Sequence, residues 1–181
     1  VTILYYIFYK LLVRKMDSID ISRVTIEKNT SGNHYNVLYE GDPIIIETGL
    51  FPLPFGLEES YNNKFIKLCL SNIQKSQESQ ELFTFIGQLE QRFVDLIPDC
   101  ENIQSQIRTH SKYDPILTVK IPTFRNAIAC DVIESDNTPF NIYGLSNGDH
   151  VKCQLLIDTV WYFKGKYSYK IKAKKIIVDR K

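Results

Sequence analysis

Six lysines fall between residues 164 and 175 with no acid among them: Lys164, Lys166, Lys170, Lys172, Lys174 and Lys175. Aromatic rings flank and interrupt this run, in the triplet Trp161-Tyr162-Phe163 and in Tyr167 and Tyr169. Ammonium groups repeated along an extended chain neutralise phosphates, and flat rings stack on bases. The chemistry on offer is that of gripping a polyanion that carries aromatic groups. From Asp149 to the end, nine Lys or Arg face three Asp, a net of +6. The whole chain sums to only +1, which leaves residues 1–148 at −5. A near-neutral total thus conceals a polarised molecule.

Covalent and metal chemistry have less to work with. Cys69, Cys100, Cys130 and Cys153 stand far apart with no CxxC, a pattern expected of reduced thiols in an intracellular protein rather than of zinc or a redox motif. His34, His110 and His150 are equally scattered, and neither GxxxxGK[ST], GxGxxG nor HExxH occurs. Asp131, Glu134 and Asp136 could be imagined as a nuclease metal site, but Asp136-Asn137-Thr138-Pro139 reads as a turn whose acids face solvent. No catalytic residue, metal ligand or cofactor is assigned.

The elements that must position the lysines read as follows. Two strands, 35–40 and 43–48, flank a Gly41-Asp42 turn, and the polar stretch 17–34 before them ends in a turn at Asn29 to Asn33. Gly49 to Gly56, with two prolines, is expected to be an irregular apolar loop, and 64–70 a strand. Leu82, Ile86, Leu89, Phe93 and Leu96 recur at helical spacing, which predicts a helix over 79–97 with Ser79 as N-cap and Pro98 as stop. A short second helix is expected over 99–108. Strands follow at 116–121, 127–134 and 140–143, then two long ones at 150–163 and 167–178. Strands, helix, strands in that order predict an α+β fold, with strands too closely spaced for parallel crossovers.

Side-chain parity constrains the terminal hairpin. A three-residue loop, Lys164-Gly165-Lys166, pairs Phe163 with Tyr167, Trp161 with Tyr169 and Thr159 with Ile171, and sets Asp158 opposite Lys172. A two-residue turn would pair Trp161 with Ser168 and put apolar residues beside lysines, so the longer loop is preferred. It yields a ribbon with an apolar face (Trp161, Phe163, Tyr167, Tyr169) and a lysine face (Lys166, Lys170, Lys172, Lys174), with Tyr162 beside the lysines as the stacking candidate. Such lysines could merely blunt an edge strand. One sign repeated along a strand fits a phosphate track better.

The block Val160 to Val178, with Leu117 to Pro122 and the Leu145 to Val151 turn, resembles the single-stranded-DNA-binding OB-fold proteins of nucleocytoplasmic large DNA viruses, from about Tyr35 to the C-terminus. The resemblance implies an OB-like antiparallel Greek-key barrel of five strands with a central helix and an N-terminal extension. It also implies sequence-tolerant binding of single strands, DNA or RNA, in viral replication, recombination or repair. By position it carries over Trp161, Lys164, Lys166, Tyr167, Lys170 and Lys172, while Lys120 and Arg125, bracketing Phe124, extend the basic path. Ser168, Ile171 and Lys175 stand where the family tends to have Gly, an aromatic and Gln, so no stacking role passes to Ile171.

Taken together, the expected binding residues are Trp161, Tyr162, Lys164, Lys166, Tyr167, Lys170, Lys172, Lys174, Lys120, Phe124 and Arg125. The expected partners are single-stranded nucleic acid and replication proteins, at a viral replication site in the host cytoplasm or nucleus, without secretion. The alternative is a non-catalytic protein-interaction or virion structural module. Residues 16–181 read as one domain. Translation is expected to start at Met16, with residues 1–15 as upstream sequence; an amphipathic anchor is the rival reading.

Overall fold

A computed structural model describes residues 12–30 and 32–180. The expectation for residues 1–15 falls mostly outside them. Within them the strands are β1 (Arg14–Lys15), β2 (Val24–Lys28), β3 (His34–Tyr39), β4 (Ile44–Pro52), β5 (Glu58–Ser60), β6 (Asn63–Cys69), β7 (Ile103–Gln104), β8 (Ile107–Arg108), β9 (Ile116–Ile121), β10 (Thr123–Phe124), β11 (Ala127–Ile128), β12 (Asp131–Glu134), β13 (His150–Ile157), β14 (Thr159–Phe163), β15 (Lys166–Tyr169) and β16 (Lys172–Asp179). One α-helix, α1 (Gln77–Leu96), lies between β6 and β7.

Five strands form the frame, in the spatial order β4–β13–β16–β9–β6. The ladders β4–β13, β13–β16 and β6–β9 are antiparallel, whereas β9 and β16 run parallel where Lys120 meets Lys172. β4 and β6 also touch, so the frame curls back on itself. Inward residues alternate along each strand, as in Val151, Cys153, Leu155 and Ile157 on β13, or Leu117, Val119 and Ile121 on β9. Further parallel pairings, β1–β4, β12–β16 and β15–β7, correct the expectation of a purely antiparallel fold. Short segments pair this way without βαβ crossovers because each only fills a gap along an edge.

A second sheet, β2–β3–β14–β15–β7, grows out of the frame. The chain of β13 passes into β14 through a bend at Asp158, whose carbonyl accepts from Val37 N at 2.8 Å. Its partner bends at Lys170-Ile171, between β15 and β16. The two predicted long strands are therefore four shorter ones. Buried Ile157 and buried Val160 lie three positions apart rather than two, so inward parity shifts from odd to even numbers.

That shift overturns the predicted register. Val160 pairs with Tyr169, Trp161 with Ser168, Tyr162 with Tyr167 and Phe163 with Lys166, around a two-residue Lys164-Gly165 turn. Both turn residues have positive φ, 48° and 80°. Such a turn matches the right-handed twist of the flanking strands, which a longer loop would not require.

Helix α1 buries Leu82, Phe85, Ile86, Leu89 and Phe93. It starts two residues earlier than expected, because the Ser76 hydroxyl accepts from Ser79 N at 3.2 Å and serves as the N-cap. Arg92 ties the helix to β2, donating to the carbonyls of Ser22 (2.8 Å) and Val24 (3.1 Å). The expected second helix over 99–108 is instead β7 and β8: Ile103 and Ile107 fill gaps beside β15 and β9. Likewise Gly49 to Pro52 continues β4, 140–143 holds a 3-10 turn rather than a strand, and the polar segment before residue 34 contains β2. In each case cross-strand partners distant in sequence decide the outcome.

The Tyr169 hydroxyl, fully buried, donates to the Glu90 carboxylate, which also accepts from Ser105 Oγ (2.9 Å) and Gln106 N (3.3 Å). One acid on the helix thus holds both the hairpin and the β7–β8 turn. Burial first, then the nearby Glu90 charge, raises the Tyr169 pKa well above 10, and burial pushes the Cys153 thiol up to about 12. Above pH ~9–10 the unfolded chain therefore sheds protons that the folded chain retains, so stability falls as pH rises. The thermal midpoint should hold to about pH 8.5 and decline beyond it. Tyr169→Phe should make the decline above pH ~10 shallower, as read by circular dichroism melts.

Candidate nucleic-acid interface

The corrected register brings the rings and the lysines to one side. Val160 and Tyr169 fill the core, so their neighbours Trp161 and Phe163 point outward with Lys166 and Ser168. Trp161 is 46% exposed and Phe163 69%. Across the second sheet, Gln104 (β7), Ser168 (β15), Trp161 (β14) and His34 (β3) stand in one row, each opposite the next. The Trp161 and His34 rings lie 4.7 Å apart, tilted by 36°. An amide, a hydroxyl, an indole and an imidazole in line form a flat, polar-edged platform. Tyr162, expected among the lysines, instead takes the opposite face and leans on Tyr167, with ring centroids 4.9 Å apart. The Tyr167 hydroxyl reaches the Pro98 carbonyl at 3.5 Å, and burial raises its pKa.

Along the same outward side, Lys170 follows Lys166 and Ser168 and enters a cleft of about 300 Å³. The β5–β6 turn contributes Ser60, Tyr61 and Asn63, the frame contributes Phe65, Thr118 and Lys120, and the β7–β8 turn contributes Gln106. Phe65 and Lys120 are cross-strand partners, which fixes a ring beside a cation. Tyr61 stands 95% exposed at a turn where it and Asn62 both have positive φ. Lys120 and Lys170 thus share one cleft, while Lys164 and Lys166 guard the hairpin tip.

The remaining expected residues divide. Lys172 is paired with Asp158 at 3.0 Å, both side chains nearly three-tenths exposed, so its charge is already matched. Lys174 sits at a bulge where the β13–β16 register slips, half-buried beside Lys175. Phe124 and Arg125 form the tip of a separate small hairpin, β10–β11, which leaves the frame just beyond Lys120. There Arg125 lies 5.2 Å over the Phe124 ring, as Lys164 lies 5.2 Å over Phe163 at the other tip. Ile171 is fully buried. Phe163, His34, Tyr61, Phe65, Gln104 and Gln106 were not expected. Of these, Phe163 stood out in the aromatic triplet, though on the apolar face of the expected register, and the Tyr61-Asn62-Asn63 run carried the local signal of a tight hairpin turn.

The Asp131 region forms a different kind of structure. Asp136 Oδ1 accepts from Thr138 Oγ1 (2.6 Å) and Thr138 N (3.0 Å), which hold its carboxyl below the usual range. Among the described residues no group of three His, Cys, Asp or Glu could hold a metal, and no helix is long and apolar enough to cross a membrane. All four cysteines are free thiols, Cys100 and Cys153 buried.

No protein-family model matches the chain, and no curated protein matches it in sequence. Its fold is similar to that of the single-stranded DNA-binding protein from bacteriophage Enc34. A C-terminal truncation of that protein aligns with a TM-score of 0.52 and 10% identity, over 88% of this chain and 95% of the other. The form solved in complex with ssDNA aligns with a TM-score of 0.50, also at 10% identity, over 88% and 96%. The chain, mostly β with a single α-helix among its described residues, therefore has a fold similar to that of a phage protein.

The register can be checked by stability alone. Tyr169→Ala should cost about 3–5 kcal/mol, as for other large buried rings. Trp161→Ala should stay within about 1 kcal/mol in urea denaturation, because its ring is outside the core. A cost for Trp161→Ala as large as that for Tyr169→Ala would restore the three-residue loop, which turns both rings inward.

Proposed function

We propose that this protein is a non-catalytic, sequence-tolerant binder of single-stranded DNA that takes part in replication, recombination or repair of a viral genome. One observation carries the reading. The five-stranded frame has the order of an OB barrel, and the rings and unpaired lysines gather where OB barrels take oligonucleotides: on the face of the second and third strands and on the loops after the first and fourth. In this chain those strands are β6 and β9, with Phe65, Thr118 and Lys120. The first loop ends in β5 and Tyr61, and the other is the whole β14–β15 hairpin. The phage protein with the similar fold has been solved with ssDNA, which supports the same ligand here. The resemblance to proteins of nucleocytoplasmic large DNA viruses supports a place of action at a replication site in the host cell, with replication proteins as further partners.

Binding proceeds by two physical terms. Lys120, Lys164, Lys166 and Lys170 have no acid partner among the described residues, and displace counterions from the phosphates. Trp161, Phe163, Tyr61 and Phe65 supply stacking surface, worth about 1–3 kcal/mol for each base.

Titration of a fluorescent single strand across a salt series should give a log–log slope near −3, from four contacts at about 0.7 each. Duplex DNA should bind more weakly. Changing Lys120, Lys164, Lys166 and Lys170 together to Ser should flatten the slope to about zero, whereas Lys172→Ser should move it by less than about 0.7. Absence of binding at low salt would return the chain to a protein-interaction or virion structural module.

A further inference from the structure

The cleft contains a group that a purely charge-driven track does not need. Gln106 is only 7% exposed, yet its side chain lines the cleft together with Phe65, Tyr61, Lys120 and Lys170. Its backbone is fully engaged: the amide donates to Glu90 Oε1 at 3.3 Å, and the carbonyl accepts from Thr118 N at 3.0 Å. Those bonds pin the residue where β8, β9 and the second sheet meet. Its carboxamide has far less to do. Among the described residues it makes one long bond, from Nε2 to the Gln104 carbonyl at 3.5 Å. Its carboxamide oxygen has no protein partner among the described residues and is not sealed from solvent, so it stays available to a ligand in the cleft.

The surroundings specify that ligand. Phe65 and Tyr61 supply rings for a flat group, while Lys120 and Lys170 supply charge for a phosphate. The carboxamide presents a donor and an acceptor side by side, which is the pattern that matches the N6 amine and ring nitrogen of adenine. We propose that Gln106 reads the edge of one base seated in this cleft, giving an otherwise sequence-tolerant track a single position that prefers adenine. The inference rests on single-strand binding as proposed above. A base enters with its face against Phe65 or Tyr61, its edge toward Gln106, and its phosphate between the two lysines. Guanine and thymine offer an acceptor where adenine has its N6 donor, cytosine repeats adenine's pair only along its N4–N3 edge whereas adenine shows it on two edges, and an abasic site leaves the amide unpaired.

The test is a substitution scan of oligothymidylate, in which one thymidine at a time is replaced by deoxyadenosine or by an abasic unit. The length is kept close to the occluded site so that register is limited. One position should bind about five-fold or more tightly as adenine than as the abasic unit, a larger effect than at the other positions. Gln106→Met, which keeps length and burial, should erase that position's preference while the salt slope stays unchanged. A melt confirms that the variant is folded, and a wild-type scan with no such position overturns the inference even if it is not. Equal binding at every position, or a preference that survives Gln106→Met, would overturn the inference while leaving single-strand binding intact. No binding to any oligonucleotide would instead overturn the functional reading beneath it.

Discussion

Everything on the proposed binding side follows from how the terminal hairpin changes sheets at Asp158 and at Lys170-Ile171. Ile157, Val160, Tyr169 and Ile171 are all fully buried, and they hold the two bends in place from the inside. The bend on one strand inserts an extra residue between inward positions, and side-chain alternation downstream is inverted as a result. Trp161 and Phe163 become surface residues beside Lys166, and Tyr162 moves to the other face. The Asp158–Lys172 pair marks this corner from outside, but at this exposure it is worth no more than about 1 kcal/mol. Backbone geometry and burial set the corner, and the ion pair decorates it.

The corner also sorts the lysines by what they can do. Lys172, drawn onto Asp158, would have to give up a partner to meet a phosphate. Lys120 and Lys170 meet across the frame with no acid between them, held by the bond from Lys120 N to the Ile171 carbonyl at 2.7 Å. The strongly basic hairpin is thus not a uniform stripe. It is a free tip, a matched corner and a free cleft, with rings at the tip and in the cleft. Glu90 stands behind both parts, since it holds Tyr169 on the hairpin and Gln106 in the cleft through one carboxylate.

Local signals carried a good part of this architecture. The α1 stripe, the alternation at Ile116 to Ile121 and a turn at Gly41 depend on near neighbours and are visible in the residues themselves, although that turn closes one residue earlier than expected, over Glu40-Gly41 with Asp42 bridged to Tyr39. The choice of lysines rested on composition, which parity does not alter, and that of Trp161 on the family resemblance, against a register that turned its ring inward. What stayed illegible depends on remote partners. Residues 99–108 have helical spacing, but they are short, and two edges of sheet elsewhere had vacant hydrogen-bonding groups for them. Asp158 gives no sign in the chain of being a corner, because its bend is imposed by Val37 from β3. His34 and Gln106 look like any other polar residues until Trp161 and Thr118 are placed beside them.

Trp161 is the only tryptophan in the chain, and its ring lies exposed in the middle of the proposed platform. Its fluorescence therefore reports directly on whether bases reach that face. Adding oligothymidylate at low salt should quench the emission saturably, and added salt should restore it in step with release of the strand. Emission that stays constant while a labelled strand binds would place the nucleic acid elsewhere on the molecule and contradict the account.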